Sequence, residues 1–359
     1  MAKLSVAVLF GGISSEHEVS LLSAASVIEN LDAAQFEVFP VGITKSGKWL
    51  YLPGSVDQIR DGSWENDPYT VPAFISPDRL VNGLVFMPED GNCFVRKIDV
   101  AFPVLHGKLG EDGTMQGLLE IAGIPYVGCD TLASAVCMDK EITNTLLDHN
   151  GIPHTPWAVM LKNEIDDFFL HSKRWEETFG YPMFVKPANA GSSVGVSKAE
   201  NRESLKEALI LAFEHDKKAI VEKAVSGLEL ECAVLGNDLL ESSVVSEIVP
   251  KNAFYDYAAK YQTPSETHLP ARINEKLSND LRAMAMTAFR ILGCSGMARV
   301  DFLFESETGT LYLNELNTIP GFTSISMYPK MMTYSGIPYP LLLNRLIELA
   351  LERHPESLR

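Results

Sequence analysis

Short apolar runs alternate with helical repeats along the first third of the chain. The runs are too short for helices and predict buried strands at residues 4–10, 36–43, 98–107 and 123–128. Between the first two runs, apolar residues recur at helical spacing at Val19, Leu22, Ala25 and Ile28. Strands that alternate with helices favour a parallel sheet, so residues 1–128 are predicted to form an N-terminal α/β domain.

The pattern changes after residue 128, where a central domain is predicted over residues 129–225. Its helices and strands are expected at 134–151, 182–187, 204–216 and 218–225. A third domain is predicted over residues 226–359, with elements at 230–236, 242–249, 297–304, 311–316 and 340–354. The expected fold class is therefore mixed, α/β and α+β, in three domains.

Composition narrows the function classes. The chain has 359 residues, 46% of them hydrophobic, and a formal net charge of -17 at pH 7. The negative charge disfavours nucleic-acid and anionic-membrane partners, so any phosphate site must be built locally. No apolar run reaches the roughly 18 residues of a membrane span, and the opening residues carry no cleavage-site pattern. We therefore expect a cytoplasmic protein, with its five scattered cysteines buried and reduced.

The first candidate site follows the first predicted strand, in the segment GGISSEHE at residues 11–18. A strand end that opens a helix is where α/β folds bind ligands, and helix amides favour anions. The glycine spacing is not that of a dinucleotide fingerprint. From this segment alone, ordinary caps that complement the helix dipole are the favoured interpretation of Glu16 and Glu18.

The second candidate is FVKPANAGSSVGV at residues 184–196. A strand delivers Lys186, and the small-residue loop behind it would let backbone amides approach a charged group closely. The spacing differs from that of a P-loop. A flexible hairpin turn remains an open alternative.

The third candidate is the pair of strands around Arg299, Asp301, Glu315 and Asn317. Glu307–Gly309 suits a three-residue hairpin loop, which pairs Asp301 with Glu315 and Arg299 with Asn317 on one face. Carboxylate and amide oxygens packed together select a hard cation such as magnesium. An arginine-carboxylate salt bridge on a solvated face is the alternative.

The fourth candidate is the aromatic stretch FYDYAAKY at residues 254–261. Long functional loops commonly cover sites that must exclude water. For this stretch taken alone, a packed surface loop with aromatic anchors is the favoured interpretation.

Read together and in order, these motifs resemble the D-alanine:D-alanine ligase family of the ATP-grasp superfamily. The resemblance rests on FGGISSEHEVSL, LHGKLGEDGTMQG, CMDK, FVKPANAGSSVGVSK, VEKAVSGLELE, FYDYAAKY, GMARVDFLF and NELNTIPGFTSISMYP. It covers the chain nearly end to end. It implies a three-domain ATP-grasp fold, with ATP held between the last two domains, and D-alanine as the substrate for peptidoglycan precursor synthesis.

The resemblance also implies roles for individual residues. The implied nucleotide-binding residues are Lys140, Lys186, Ser193, Glu222, Lys223, Ala224, Val225, Glu229 and Asn314. Asp301, Glu315 and Asn317 would hold two magnesium ions, for which manganese could substitute. Ala224 departs from relatives that carry a large aromatic residue at this position, so the adenine pocket is expected to be packed differently.

Substrate and catalytic roles follow from the same resemblance. Glu16 would bind the ammonium group of the first D-alanine, and Ser192 and Tyr261 would link it to the lid. His106 would lie near the carboxylate of the first substrate or orient other groups. The second substrate would meet Lys260, Ser326 and Met327. Arg299 and the amide of Gly321 would stabilise the oxyanion.

Alternative functions stay open at this point. The apolar Met327 mildly favours D-alanine over D-serine as second substrate, and the Lys260–Tyr261 pair disfavours an ester-forming ligase. Another ATP-grasp ligase, or a nucleotide-binding regulator without catalysis, are the remaining alternatives. A homodimer is implied by the resemblance alone.

Overall fold

The structure is a computed structural model that describes residues 3–191, 194–249 and 266–354. A seven-stranded sheet comes first, in the order β6-β5-β4-β3-β2-β1-β7. Its strands are β1 (Leu4–Gly11), β2 (Phe36–Ile43), β3 (Trp49–Tyr51), β4 (Val71–Ile75), β5 (Gly83–Phe86), β6 (Phe94–Lys97) and β7 (Val100–Val104). The accompanying helices are α1 (His17–Asn30), α2 (Val56–Asp61), a 3-10 turn (Ser63–Asn66) and α3 (Thr114–Ala122).

Only one end of this sheet, formed by β2, β1 and the edge strand β7, is parallel. Strand β1 pairs in parallel with β2 and β7, whereas β3 to β6 extend the sheet in antiparallel fashion. The predicted parallel pairing is therefore confirmed for β1, β2 and β7, whereas the four antiparallel strands β3 to β6 were not predicted. The expected strand at 123–128 was wrong, because only an isolated bridge joins Tyr126 to Ala101.

The parallel strands explain where the site lies. Residues 6–10 of β1 are fully buried, because a separate hydrophobic core packs on each face of the strand. Since β1 and β7 run in the same direction, the loops that follow them meet at one edge of the sheet. Residues 11–16 and 105–113 belong to these loops.

A four-stranded antiparallel sheet forms the middle of the chain, in the order β10-β9-β11-β8. Its strands are β8 (Trp157–Leu161), β9 (Met183–Pro187), β10 (Ser197–Ala199) and β11 (Lys218–Lys223). The helices of this part are α4 (Thr131–Met138), α5 (Lys140–His149), a 3-10 turn (Lys162–Asp167), α6 (Phe168–Thr178) and α7 (Arg202–Ala212). The single helix expected at 134–151 is split, because Asp139 caps α5 by accepting from the amides of Glu141 and Ile142.

A five-stranded antiparallel sheet follows, in the order β14-β13-β12-β15-β16. Its strands are β12 (Leu228–Gly236), β13 (Leu240–Val249), β14 (Glu266–His268), β15 (Gly296–Glu305) and β16 (Thr310–Asn317). The helices are α8 (Glu275–Ile291), α9 (Met327–Tyr334) and α10 (Tyr339–Arg353).

The hydrophobic cores connect these sheets unequally. One core combines β1, α1 and β7 with α9, α10 and residues of β12, so it joins the first sheet to the last. A second core packs α4 and Leu147 against the five-stranded sheet and α8. The four-stranded sheet has a core of its own, built from residues between 160 and 221. We propose on this basis that, among the predicted domains 1–128, 129–225 and 226–359, the border between the first two lies after α4, since α4 packs with the last sheet.

The cysteines agree in part with the expectation that they are buried and reduced. All five cysteines are free, and four of them are buried, but Cys93 is exposed and departs from the expectation. Among the helices in the described ranges, none combines the length and apolar character needed to cross a bilayer.

Candidate functional site

A cleft of about 810 Å³ is lined by residues of the four-stranded and five-stranded sheets and by the loops that follow β1 and β7. Every predicted site residue that the structure describes lines it: Glu16, His106, Lys140, Lys186, Glu222, Lys223, Ala224, Val225, Glu229, Arg299, Asp301, Asn314, Glu315, Asn317, Gly321, Ser326 and Met327. The other predicted residues, Ser192, Ser193, Lys260 and Tyr261, lie outside the described residues.

The hairpin of β15 and β16 carries the predicted metal ligands. Asp301 pairs with Glu315 and Arg299 with Asn317, which confirms the predicted register at the site. The predicted three-residue loop was wrong, because Glu305 pairs with Thr310 and the loop spans 306–309. A register shift between Asp301 and Phe302 leaves Asn314 as an extra residue on β16 and restores the pairing beyond it.

Arg299 balances the negative charge on this face. Its guanidinium donates to both carboxylate oxygens of Asp301, at 2.7 and 2.6 Å, and its Nε lies 3.4 Å from Glu231 Oε1. Burial lowers the pKa of Arg299, but the neighbouring Asp301 and Glu231 carboxylates outweigh burial and hold it well above its ordinary value. The salt bridge considered from the sequence is thus present, although it lines the cleft rather than a solvated face.

The oxygen set beside Arg299 fits magnesium. Asp301 and Glu315 supply carboxylates, and Asn317, whose Nδ2 lies 3.0 Å from Asp301 Oδ2, supplies an amide. In the part of the chain that the structure describes, no three His, Cys, Asp or Glu side chains form a complete metal site. A cation here would therefore need oxygens from a bound molecule as well, which is how magnesium is held at nucleotide phosphates.

Two lysines face the same cleft from the middle of the chain. Lys140 is the first residue of α5, and its Nζ donates to Ala190 O at 2.9 Å and lies 3.9 Å from Glu315 Oε2. Lys186, on β9, forms an ion pair of 2.7 Å with Glu222 on β11. The largely buried ammonium groups place positive charge opposite the oxygen set of the hairpin.

The end of β11 forms the wall next to Lys186. The amides of Lys223 and Ala224 are taken by Pro156 O and Pro182 O at 2.9 and 3.1 Å. The strand ends at Lys223, and Val225 lines the cleft beyond it. A strand end with backbone groups and small side chains suits a flat heterocycle, and Ala224 leaves more room than an aromatic residue would.

Glu16 is buried at the edge of the seven-stranded sheet, with 6% of its surface exposed. Its side chain makes no capping hydrogen bond to α1, which argues against the cap interpretation. A Cβ at Gly107, where φ is +71°, would overlap Glu16 Oε2, and one at Gly191 would lie 3.0 Å from it. The glycines therefore make space for this carboxylate beside the cleft.

His106 and Glu111 lie in the loop after β7. His106 Nδ1 is 3.1 Å from Ile319 O, and burial lowers its pKa to about 4, so the ring is neutral at pH 7. Glu111 accepts from the amides of Gly107 and Ile319, at 2.6 and 3.3 Å. Burial, followed by the nearby Glu16, raises the pKa of Glu111 to about 8.

Glu111 is a site residue that the sequence reasoning missed, although the motif containing it was quoted. The signal was available, since the loops after the parallel strands β1 and β7 meet at one edge of the sheet. An acidic residue in each loop, Glu16 and Glu111, would then have been placed together.

The segment after β16 closes the cleft. Ser326, at the start of α9, contacts the Thr323 amide at 3.0 Å, and a Cβ at Gly321 would lie 2.7 Å from Ser326 Oγ. Met327 is 9% exposed and belongs to the core shared by the first and last sheets, so it forms the floor of the cleft. The close approach at Gly321 admits only glycine without displacing Ser326.

Family models match both halves of the chain. The model described as "D-ala D-ala ligase N-terminus" matches residues 5–129, and "D-ala D-ala ligase C-terminus" matches residues 146–348. A curated D-alanine–D-alanine ligase from Caldicellulosiruptor bescii is 50% identical over 99% of this chain and 98% of its own length. One from Clostridium acetobutylicum is 45% identical over 98% and 99%.

Solved structures agree with these matches. The VanG D-Ala:D-Ser ligase from Enterococcus faecalis has a TM-score of 0.89 and 42% identity, over 97% of this chain and 100% of that one. The D-alanine-D-alanine ligase from Coxiella burnetii has a TM-score of 0.85 and 34% identity, over 100% and 97%. They confirm the predicted ATP-grasp fold. The two family models and these full-length similarities show that the chain belongs to the D-alanine:D-alanine ligase family.

Proposed function

We propose that this protein joins two D-alanine molecules to D-alanyl-D-alanine, converting ATP to ADP and phosphate. The observation that carries the proposal is a single cleft in which the oxygen set of Asp301, Glu315 and Asn317 faces Lys140 and Lys186 and continues to the buried Glu16. The proposed phosphate-binding site and the proposed ammonium-binding site therefore lie next to each other in the cleft. The names of the full-length relatives support the same substrate.

ATP would lie between the four-stranded and five-stranded sheets. The end of β11, from Glu222 to Val225, suits the adenine, and Glu229 suits the ribose. Lys140 and Lys186 would neutralise phosphate charge, and Ser193 and Asn314 would add neutral hydrogen-bonding groups to the nucleotide site. Magnesium, or manganese in its place, would polarise the phosphoryl group and neutralise its charge when bound by Asp301, Glu315 and Asn317.

The first D-alanine would bind with its ammonium group at Glu16. Its carboxylate is a poor electrophile, because the negative charge repels a nucleophile. Transfer of the γ-phosphoryl group from ATP forms an acyl phosphate, whose phosphate then leaves when the amine of the second D-alanine attacks. The protein needs no nucleophile of its own, and the task of its residues is to position charge.

Arg299 and the Gly321 amide would donate to the oxyanion formed in that attack. Each such donor lowers the barrier by about 3 kcal/mol when it is positioned in advance. Lys260 and Ser326 would bind the second D-alanine above Met327. Ser192 and Tyr261 would link Glu16 to a lid that protects the acyl phosphate from water.

Ligation of D-serine at the second position is the other candidate function. The similarity to the D-Ala:D-Ser ligase of Enterococcus faecalis favours it. The buried, apolar Met327 in the floor of the cleft favours D-alanine, since it offers no partner to a substrate hydroxyl.

An assay of ADP release tests the proposal. The protein is given ATP and magnesium with no amino acid, with D-alanine, with D-serine, or with both amino acids, and the products are identified by mass spectrometry. We expect ADP and D-alanyl-D-alanine in equal amounts with D-alanine alone. If the main dipeptide formed from the mixture contains D-serine, the second candidate function is favoured. If D-alanine does not stimulate ADP release, the protein is a nucleotide-binding protein without ligase activity.

The cellular setting completes the proposal. D-alanyl-D-alanine serves peptidoglycan precursor synthesis, and both substrates are small molecules, so neither nucleic acid nor membrane is needed as a partner. A cytoplasmic homodimer is the form we propose. Sedimentation of the purified protein would test the dimer.

A further inference from the structure

The turn at residues 319–322 carries the backbone amide proposed to meet the oxyanion. Proline at position 320 has no N–H, so the turn has three amide donors, on Ile319, Gly321 and Phe322. The amide of Ile319 donates to Glu111 at 3.3 Å, and that of Phe322 donates to Ser23 Oγ at 3.2 Å. Within the described residues, the Gly321 amide has no protein acceptor, and Gly321 lines the cleft.

The side chains that hold this turn come from the first third of the chain. Ser23 is on α1 and is fully buried, whereas His106 and Glu111 follow β7. His106 Nδ1 contacts Ile319 O at 3.1 Å, and its Nε2 contacts Ser23 Oγ at 3.3 Å. The first sheet therefore holds both backbone groups of Ile319 and one of Phe322.

One hydrogen-bond direction satisfies the whole chain of contacts. The Phe322 amide donates to Ser23 Oγ, the Ser23 hydroxyl donates to His106 Nε2, and His106 Nδ1 donates to Ile319 O. This requires the neutral ring, which burial favours by lowering the pKa of His106 to about 4. Because each donor has one acceptor, the turn has a single arrangement with no competing set of partners.

Glu111 connects this turn to the loop beside Glu16. Its other oxygen accepts from the Gly107 amide at 2.6 Å, and Gly107 lies against Glu16 Oε2. One carboxylate thus spans from the ammonium subsite at Glu16 to the turn that carries Gly321. The neighbouring Asp112 accepts from the amides of Leu109 and Thr114, which belong to its own loop and its own helix.

We propose that Glu111, with Ser23 and His106, is a positioning device that fixes the 319–322 turn so that the Gly321 amide points at the reacting carbonyl. The inference rests on the proposed ligase function. It assigns Glu111 no contact with the substrate and no proton transfer. Its effect is to set the distance between the substrate ammonium at Glu16 and the donor at Gly321.

Kinetics of a matched pair of variants test the device in the full chain. In Glu111→Gln, an NH2 group replaces one acceptor oxygen, so Gly107 or Ile319 loses its partner. A displacement of about 1 Å at such a donor costs up to about a hundredfold in rate. We expect kcat for dipeptide formation to fall by about tenfold to a hundredfold, with the KM for ATP unchanged. Asp112→Asn, the same chemical change one residue away, is expected to alter kcat by less than about twofold.

Hydrogen exchange of the backbone reports on the turn without relying on activity. Faster exchange at residues 319–322 is expected in Glu111→Gln and in Ser23→Ala, and not in Asp112→Asn. Both predicted changes together support the device. Ser23→Ala also keeps the test decisive if Glu111→Gln fails to fold.

Three results would overturn the inference. Unchanged exchange at 319–322 with a raised KM for D-alanine would mean that Glu111 binds substrate directly. An equal loss of kcat in Asp112→Asn would mean that activity depends on the overall conformation of the loop and not on the contacts of Glu111 in particular. Near-normal kcat in both Glu111→Gln and Ser23→Ala would show that the turn needs no such support. Absence of dipeptide from the wild type would instead contradict the proposed function, while the exchange measurement would still test the turn.

Discussion

Ion pairs between buried side chains hold several charged residues of this cleft in position. Arg299 contacts both oxygens of Asp301, and the Lys186–Glu222 pair is largely buried as well. The sequence predicted these residue types because carboxylates, an arginine and lysines recur in ordered motifs. It did not predict the pairing of Lys186 with Glu222, since that contact depends on how β9 and β11 align.

Removal of the guanidinium tests the role of Arg299. Arg299→Ala leaves Asp301 and Glu231 without their shared cation and removes an oxyanion donor, so turnover should fall by a factor of hundreds or more. Steady-state dipeptide formation measures the effect, and circular dichroism confirms that the fold is intact. Turnover within a few-fold of the wild type would refute the assignment.

The buried ring of His106 predicts a dependence of stability on pH. Its pKa is about 6.5 in an unfolded chain and about 4 in the fold. The folded state therefore binds fewer protons, and its stability is fully present above pH 6.5 and lost as the pH falls towards 4. The loss attributable to this ring is about 3 kcal/mol.

Denaturant unfolding at several pH values, compared between the wild type and His106→Gln, measures this term. The variant should lose less stability than the wild type between pH 7 and pH 4. Parallel curves for the two proteins would show that His106 does not titrate in this way.

At the scale of elements, the β15–β16 hairpin decides the geometry of the site. The pairing of Asp301 with Glu315 follows from counting residues along the strands, and the structure confirms it. The loop is longer than predicted, and the bulge at Asn314 compensates, which sequence counting could not separate from a regular ladder. The split of α4 from α5 was missed for a related reason, because the cap at Asp139 interrupts an otherwise continuous helical repeat.

The metal role of this hairpin predicts a change in magnesium requirement. Glu315→Gln removes a charged oxygen ligand, so the magnesium concentration for half-maximal activity should rise about tenfold or more, in line with the loss of one carboxylate. Titration of activity with magnesium at saturating ATP measures it. Glu307→Gln, in the loop of the same hairpin, is the control, and an equal rise in both variants would mean that only general charge matters.

At the scale of the whole molecule, the first and last sheets share a core and the four-stranded sheet does not. The division into three successive domains stays a prediction from the sequence. The sequence could not predict the antiparallel half of the first sheet, whose short strands β3 to β6 are individually weak signals, or the packing of α4 with the last sheet. Contacts between distant segments, such as Glu111 with Ile319, likewise depend on the assembled fold.

The separate core of the four-stranded sheet predicts which residues change their hydrogen-exchange rate when a nucleotide binds. A non-hydrolysable ATP analogue with magnesium should slow hydrogen exchange in residues 157–223, because it fixes the four-stranded sheet against the last one. Strands β1 and β7 should exchange at an unchanged rate. Equal protection of β1, β7 and residues 157–223 would contradict this division.

Oxygen-isotope transfer tests the central claim, activation of a substrate carboxylate by ATP in this cleft. The protein is incubated with ATP, magnesium and D-alanine labelled with ¹⁸O in both carboxylate oxygens, and the released phosphate is analysed by mass spectrometry. The acyl-phosphate route predicts one ¹⁸O atom in each phosphate, formed together with D-alanyl-D-alanine. Dipeptide formed with unlabelled phosphate would contradict the account.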